Sequence, residues 1–437
     1  MLVENSFRVD PRVRNEAFTL SEAGYRVTVV ALRNPGEPPR WEERGVHVYA
    51  VPTLTLFEKL RPEGSSFLRR AVSRVQGVLG YVVEYVYFTS VCLALAPRVA
   101  LREGFDALHI HNPPDTLFVV GALARLAGKK VVFDHHDLSP ELYLSRFGRS
   151  SGRGDLVYHG LCVAERLALR VAHVVIATNE SYREIEMTRD KVSPARIFVV
   201  RNGPDLARVR RVPSDEGLRS KAPVILGFVG AMNPQDGVDY LLRALRHLVY
   251  ELGRRDFFCV LIGTGDALPK LRRLAHDLGL DDFTWFTGHV TDADMLRYLS
   301  TADICVDPDP SSPLNDVSTW IKIMEYMALG KPIVAFRLKE TVFSAQDAAV
   351  YVTPNDEAAF ARAVAALMDD PAERARRGEL GPVRVREQLA WQHVSRNLLA
   401  AYASLFPSRA PAEVAPGTEP VQGSSGMTGR RAREAAR

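Results

Sequence analysis

The stretch that most constrains this chain runs from Ser311 to Phe336, SSPLNDVSTWIKIMEYMALGKPIVAF. A turn-rich loop with Pro313, Asn315 and Asp316 gives way to apolar residues at helical spacing, Ile321, Met324, Ala328 and Leu329. Asp316 or Ser318 can cap a helix starting near Thr319. Gly330 supplies a left-handed stop and Pro332 forbids continuation, after which Ile333 to Phe336 reads as a strand. Lys322 and Glu325, three apart, share a face one turn inside the helix N-terminus, where free N–H groups and the helix dipole favour an anion. Two readings fit. In one, a phosphate rests on backbone amides near Ser318 and Thr319 and on Lys322, while Glu325 accepts from two ribose hydroxyls. In the other, Lys322 and Glu325 are an exposed pair on a surface helix.

The 437 residues suffice for two domains with extensions. Lys and Arg outnumber Asp and Glu by only 56 to 52, a net charge of +4 that gives no argument for nucleic-acid binding. Cys92, Cys162, Cys259 and Cys305 are widely spaced in apolar surroundings. Neither a disulfide framework nor a zinc site is suggested, and a reducing, cytoplasmic compartment is expected. The opening residues lack the basic-then-apolar pattern of a signal peptide.

Strands and helices then alternate, the doubly wound pattern. Met1 to Val3 reads as a shortened first strand and Glu4 to Asp10 as the loop after it; Pro11 opens a helix that Gly24 ends, and strand Arg26 to Leu32 follows. Asp10 is either a helix cap or a ligand-side group of the loop. A basic run, Arg61, Arg69, Arg70 and Arg74, leads into the apolar stretch Gly77 to Ala96. Glu84 within it and Pro97 after it argue for a buried helix rather than a membrane span, while the arginines suggest peripheral contact with anionic lipid. Two polar clusters fall at the ends of strands, where open α/β sheets place ligands. They are His111–Asn112–Pro113–Pro114–Asp115 and Asp134–His135–His136–Asp137, with Glu141 following. One histidine is expected to be structural, its ring bonded to backbone. The other, His136, is expected to face a ligand with Asp137 orienting it, and Asn112, Asp115, His135 and Glu141 belong to the same strand-end clusters. The His-His-Asp run lacks metal-ligand spacing, so no metal is expected.

Residues 201–222, opening with the breaker cluster Arg201 to Asp205, read as a hinge between a first domain, 1–200, and a second, 223–389. The second restarts with the apolar strand Val224 to Val229 and the turn Gly230 to Gly237. Phe258 to Ile262 ends in Gly263 and Gly265, placed for a close approach to nucleotide, as are Gly230 and Asn233. Ala372 to Leu389 reads as a helical stretch broken in two by Gly381 and Pro382. A C-terminal helix spans 390–406, and 407–437, rich in Pro, Gly, Ser and Ala, is expected to be disordered.

Lys322-x-x-Glu325-Tyr-Met-Ala-Leu-Gly330-Lys-Pro332-Ile-Val resembles the nucleotide-sugar motif of glycosyltransferase family 4. The resemblance implies the GT-B fold: two Rossmann-like domains with parallel sheets facing a cleft, and a C-terminal helix returning to the first. It also implies a retaining transferase, mostly metal-independent, whose final Glu holds the donor ribose while the preceding loop and helix start hold diphosphate and sugar. The family commonly carries an earlier Glu at the position of Val317 here, next to Asp316. It often has a basic pair in the first turn of the second domain, where this chain has Met232 or Asn233 and Asp236. Lys322 is then the expected partner of the diphosphate. The family also places an important His at the position of His136, and its Asn-Gly-x-Asp crossover matches Asn202 to Asp205.

The expectation is a glycosyltransferase that moves a sugar from a UDP- or GDP-linked donor to a hydroxyl acceptor, in cell-envelope polysaccharide or glycolipid synthesis. Catalytic roles fall to His136, Asp137, Asp316 and Lys322. Donor binding falls to Gly230, Asn233, Gly263, Gly265, Ser318, Thr319, Lys322 and Glu325. The acceptor side falls to Asp10, Asn112, Asp115, His135 and Glu141, with His136 by the acceptor hydroxyl; no cofactor beyond the nucleotide sugar is expected, and the acceptor is a glycan or lipid-linked. A nucleotide-sugar epimerase and a catalytically silent nucleotide-binding scaffold are the alternatives.

Overall fold

The computed structural model describes residues 1–54, 67–147 and 155–407, with backbone only for 67–78 and 147. The first domain is built on an eight-stranded sheet of β1 (Leu2–Ser6), β2 (Val27–Arg33), β3 (Arg40–Glu43), β4 (Val46–Pro52), β5 (Ala107–His111), β6 (Lys130–His135), β7 (Val174–Ala177) and β8 (Ile197–Val199). Its order is β3-β4-β2-β1-β5-β6-β7-β8, parallel except for the edge strand β3. The second sheet has β9 (Val224–Val229), β10 (Phe257–Ile262), β11 (Thr284–Gly288), β12 (Ile304–Asp307), β13 (Ile333–Phe336) and β14 (Ala349–Val352), all parallel, in the order β11-β10-β9-β12-β13-β14. Helices cover both faces of each sheet. That is why β9, β10, β12 and β13 are written as nearly unbroken apolar runs, with a core on either side. The two-domain α/β reading holds.

Several local expectations are corrected. β1 does not stop at Val3 but runs to Ser6, held between β2 and β5. The helix Pro371–Arg384 passes through Gly381 and Pro382 unbroken. A Cβ on Gly381 would stand 2.8 Å from the backbone of Met327, and one on Gly378 would stand 2.6 Å from Gly330 O. These glycines let this helix lie directly on the motif helix Ile321–Ala328. The helix Phe67–Glu103 is mostly unburied over its described side chains, Leu79–Glu103. Phe88 and Cys92 anchor it to the first sheet's core, but Leu79, Val82 and Val86 stand half exposed. By length and composition its stretch Leu79–Glu103 could cross a membrane. Arg61, the side chains of Arg69, Arg70 and Arg74, and the tail from 408 lie outside the described residues.

Two crossovers join the domains. The first, beyond β8, passes Gly203, where a Cβ would stand 2.3 Å from Leu389 O. The second leads into the helix Trp391–Leu405, which packs on the first domain; Trp391 donates to Thr19 Oγ1 at 2.8 Å and to Pro204 O through its backbone at 3.3 Å. On the ligand side, loops leaving β7 and β12 meet. Leu314 inserts into the core of the first domain, with Val317 packed beside it.

Candidate functional site

On the second domain the site is the start of the helix Ile321–Ala328. It begins two residues later than expected, after Trp320 in extended conformation, and no side chain caps it. Asp316 sits in the short 3-10 turn Asn315–Val317 and accepts instead from Ser311 Oγ at 3.1 Å, while Ser318 Oγ donates to Leu314 O at 2.8 Å. The N–H groups of Ile321 and Lys322 are therefore left for an anion, while that of Ile323 bonds to Trp320 O at 3.3 Å. Gly330, at φ 65°, closes the helix, with its N–H bonded to Met327 O and that of Lys331 to Tyr326 O.

Lys322 is not the free cation that a diphosphate partner requires. Its Nζ lies 2.5 Å from Asp309 Oδ2 and 3.1 Å from Asp307 Oδ1, over the rings of Phe228 and Trp320. Burial works against the ammonium, but Asp309 and Asp307 outweigh it and hold its pKa above the ordinary lysine value. Burial and the neighbouring Asp307 push Asp309 well up in turn. Glu325, buried, is not an exposed partner of Lys322 either. It accepts from Arg208 at 2.9 Å, and Arg208 also reaches Asp292 at 3.0 Å. Burial raises the Glu325 pKa against the pull of Arg208.

The glycines at the ends of β9 and β10 approach one another rather than an open surface. A Cβ on Gly263 would stand 2.0 Å from Gly230 O, and one on Gly265 would stand 2.5 Å from Met232 O. Asn233 is engaged locally, its N–H bonded to Asp236 Oδ2 at 2.9 Å and its Oδ1 accepting from Asp266 N at 3.3 Å. Met232 is fully buried, which explains why no basic side chain stands there.

On the first domain, His136 and Asp137 are half-buried at the end of β6. Asp134, not Asp137, orients the ring: His136 Nε2 lies 2.8 Å from Asp134 Oδ2 and 3.1 Å from His111 Nδ1. Burial opposes charge on Asp134, yet Arg12 and His136 hold its pKa well below the carboxylate range. Arg12 grips both its oxygens, at 2.7 and 3.0 Å, and donates to Val200 O and Asn202 Oδ1. Asn112 spends all its polar capacity on the loop, donating to Asp137 O and Asp115 Oδ1 and accepting from the N–H groups of His136 and Asp137. Burial, and then Glu165, push Asp115 up to about 6.

Three residues of the expected acceptor side are engaged within the first domain. His135 is fully buried and bonds to carboxylates rather than backbone, 2.9 Å to Glu186 and 3.5 Å to Glu165. These raise its pKa well above the imidazole range against the opposing effect of burial. Glu141 is held by Arg189 at 2.5 Å. Asp10 is the cap of the helix Pro11–Glu22, accepting from Val13 N at 3.0 Å and from Asn5 at 3.1 Å.

The structure thus gathers Asn112, Asp115, His136 and Asp137 on one side and Thr319, Lys322 and Glu325 on the other. Sequence reading missed the residues that tie the halves together. Arg201 and Ser181 of the first domain both bond to the buried Glu340 at 2.6 Å, and Thr319 accepts from Arg201 at 3.2 Å and from Asn179 at 2.9 Å. Val317, half-buried, packs beside Leu314 against the apolar core of the first domain.

Comparison with known proteins agrees with this architecture. Residues 9–203 match the family described as glycosyl transferase 4-like domain, and residues 223–370 match glycosyl transferases group 1. The MMP alpha-(1->4)-mannosyltransferase of Mycolicibacterium hassiacum is 25% identical over 401 residues, covering 89% of this chain and 93% of that protein. The phosphatidyl-myo-inositol mannosyltransferase of Mycolicibacterium smegmatis is 28% identical over 310 residues, 70% of this chain and 73% of that protein. Among solved structures, Anabaena HepE in complex with UDP-glucose superposes with a TM-score of 0.67 at 18% identity, covering 92% of this chain and 98% of that one. Sucrose-phosphate synthase from Thermosynechococcus elongatus gives 0.67 at 18% identity, covering 93% and 99%, so the likeness is one of GT-B fold. With both halves matched in order and the two sheets in place, the chain belongs to the group 1, family 4-type glycosyltransferases and is a transferase of GT-B fold.

Proposed function

We propose that this glycosyltransferase moves a sugar from a UDP- or GDP-linked donor to a hydroxyl of a glycan or lipid-linked acceptor, with retention of configuration, in cell-envelope polysaccharide or glycolipid synthesis. The observation that carries the reading is the uncapped start of the helix Ile321–Ala328 with the buried Glu325 one turn inside it. Its amides are placed to receive the leaving diphosphate, and Glu325, exchanging its bond with Arg208, takes the ribose hydroxyls. Lys322 contributes to the diphosphate only by giving up part of its contact with Asp309 and Asp307. On the acceptor side, His136, held by Asp134, faces the incoming hydroxyl, with Asp137 beside it. Relatives named as mannosyltransferases, one for a phosphatidyl-inositol, support this substrate class. The half-exposed Leu79, Val82 and Val86 support peripheral contact with the inner face of a membrane.

Thermal stabilisation by UDP, GDP and ADP tests the donor site, with Glu325→Ala as control. A nucleotide at about a hundred times its dissociation constant adds roughly 2.7 kcal/mol. Stabilisation by one nucleotide that disappears in Glu325→Ala supports the reading; no stabilisation by any of the three refutes it. Flotation with anionic liposomes tests the membrane contact, and no binding at low salt refutes that part.

A further inference from the structure

We propose that Glu16, His109, His111 and Asp134 form a binding site for a divalent transition-metal ion of the zinc type, inside the first domain behind the acceptor side. It goes beyond the transfer reaction, and no step of that reaction is routed through it.

The fold brings these residues together from three elements. His109 and His111 alternate on β5 and so share a face of the sheet, their rings stacked at 4.2 Å. Asp134 lies beside His111 on the neighbouring β6. Glu16 comes down onto the same face from the helix Pro11–Glu22. One donor atom from each of the four lies within 4.8 Å of all the others, and all four side chains are fully buried. The known separations are 3.7 Å from Glu16 Oε2 to His109 Nε2, 3.9 Å from Glu16 Oε2 to His111 Nδ1, 3.9 Å from Asp134 Oδ2 to His109 Nε2 and 3.3 Å from Asp134 Oδ2 to His111 Nδ1. A tetrahedral ion with bonds of about 2.0–2.2 Å spaces its ligands by roughly 3.3–3.6 Å, so small side-chain shifts suffice.

The second observation is the unmet polar capacity. Glu16 Oε2 and His109 Nε2 are buried without a hydrogen-bond partner, an arrangement that interiors avoid. His109 Nδ1 is held by Tyr402 Oη at 3.0 Å, which fixes the ring with Nε2 turned into the cluster, the support that metal-binding imidazoles commonly receive. Arg12 grips the outer oxygens, Glu16 Oε1 at 3.1 Å and Asp134 Oδ1 at 2.7 Å. It orients the carboxylates while Oε2 and Oδ2 face the imidazoles. Two contacts compete for the inner Asp134 oxygen, Arg12 Nε at 3.0 Å and His136 Nε2 at 2.8 Å. An ion displaces the latter, so loading is felt at His136. Two imidazole nitrogens and two carboxylate oxygens suit Zn²⁺ or Co²⁺ better than Mg²⁺ or Ca²⁺, which prefer oxygen alone. A closed four-ligand site is of the structural kind.

The test uses the full chain, stripped with a chelator, dialysed against Co²⁺ and then challenged with Zn²⁺. The expected result is one tightly bound Co²⁺ per chain with a tetrahedral ligand-field spectrum, its displacement by Zn²⁺, and a higher melting temperature with either ion. Glu16→Gln and His109→Gln, each confirmed folded by circular dichroism, weaken binding by roughly tenfold or more, while His276→Gln, at an exposed His276–Asp281 pair, leaves it unchanged. Absence of stoichiometric Co²⁺ binding to the wild type overturns the proposal, as does binding that survives in whichever of the two variants folds. The readout is metal content and spectrum, so it stands or falls separately from nucleotide binding.

Discussion

The side-chain amide of Asn179 donates to Thr319 Oγ1 at 2.9 Å, across the boundary between the domains. The same nitrogen donates to Val317 O at 2.8 Å, and Asn179 Oδ1 accepts from Tyr182 N at 2.8 Å as the cap of the helix Glu180–Thr188. One buried side chain from the first domain thus fixes the loop that leads into the donor helix of the second. Domain orientation and the position of the helix start are set by the same contacts.

Replacing Asn179 with Ser keeps a helix cap but removes the reach to Val317 and Thr319. Two net hydrogen bonds are worth about 1–3 kcal/mol, and they act on the loop rather than on the core of either domain. Donor KM should rise several-fold in Asn179→Ser while the melting temperature changes little. A variant with unaltered donor KM would show that Asn179 is a helix cap alone.

Lys322 gives a prediction of a different kind, because its two partners are buried carboxylates. Lys322→Met leaves Asp307 and Asp309 uncompensated, at a cost of about 3–5 kcal/mol. Adding Asp309→Asn to Lys322→Met removes one of the stranded charges and should restore part of the loss, which denaturant unfolding in a double-mutant cycle will measure. Purely additive effects would mean that the ion pair does not form in solution.

What the sequence discloses and what it hides follow from distance along the chain. β9, β12 and β13 are legible because strands covered on both faces are apolar throughout, and the stop at Gly330 and Pro332 is a local event. Lys322 and Glu325 are recognisable as a pair at helical spacing. Their partners are not: Arg208 lies 117 residues from Glu325, and Arg12 lies 122 residues from Asp134. No periodicity links such residues, only the fold does. The partner of His136 was within reach of local reasoning. Residues 134 and 136 alternate onto one side of the strand end and 137 onto the other, so Asp134 was the candidate that a period of two selects. The same rule puts His109 and His111 side by side.

Asp115 predicts a pH dependence whose sign is fixed by burial. Its folded pKa, about 6, lies above the ordinary 3.8, so the folded state holds a proton that the unfolded chain releases over that interval. The contribution to stability is whole below the unfolded value and is lost as pH rises through about 6. Asp115→Asn should therefore match the wild type in acid and exceed it in stability by about 3 kcal/mol near neutrality. Urea unfolding of both proteins at about pH 4 and about pH 8 measures the difference; an equal difference at both would show that Asp115 does not titrate in this range.

Gly203 closes the account of the hinge. The two crossovers run so close that a methyl group on Gly203 would stand 2.3 Å from Leu389 O and 2.9 Å from Trp391 N. Both obstacles are backbone, so no side chain can turn away, and the strands of chain must part. The backbone bond from Trp391 to Pro204 O, already 3.3 Å long, is the first contact that this parting breaks. Overpacking of this kind costs about 1–3 kcal/mol, and here it falls on the joint between domains rather than inside either. Gly203→Ala should lower the melting temperature and also increase protease cleavage near the crossovers, while bound nucleotide restores part of the stability by drawing the domains together. If Gly203→Ala melts like the wild type, the two crossovers are not in contact in solution, and the orientation of the domains is held from the ligand side alone, by Asn179, Arg201 and Glu340.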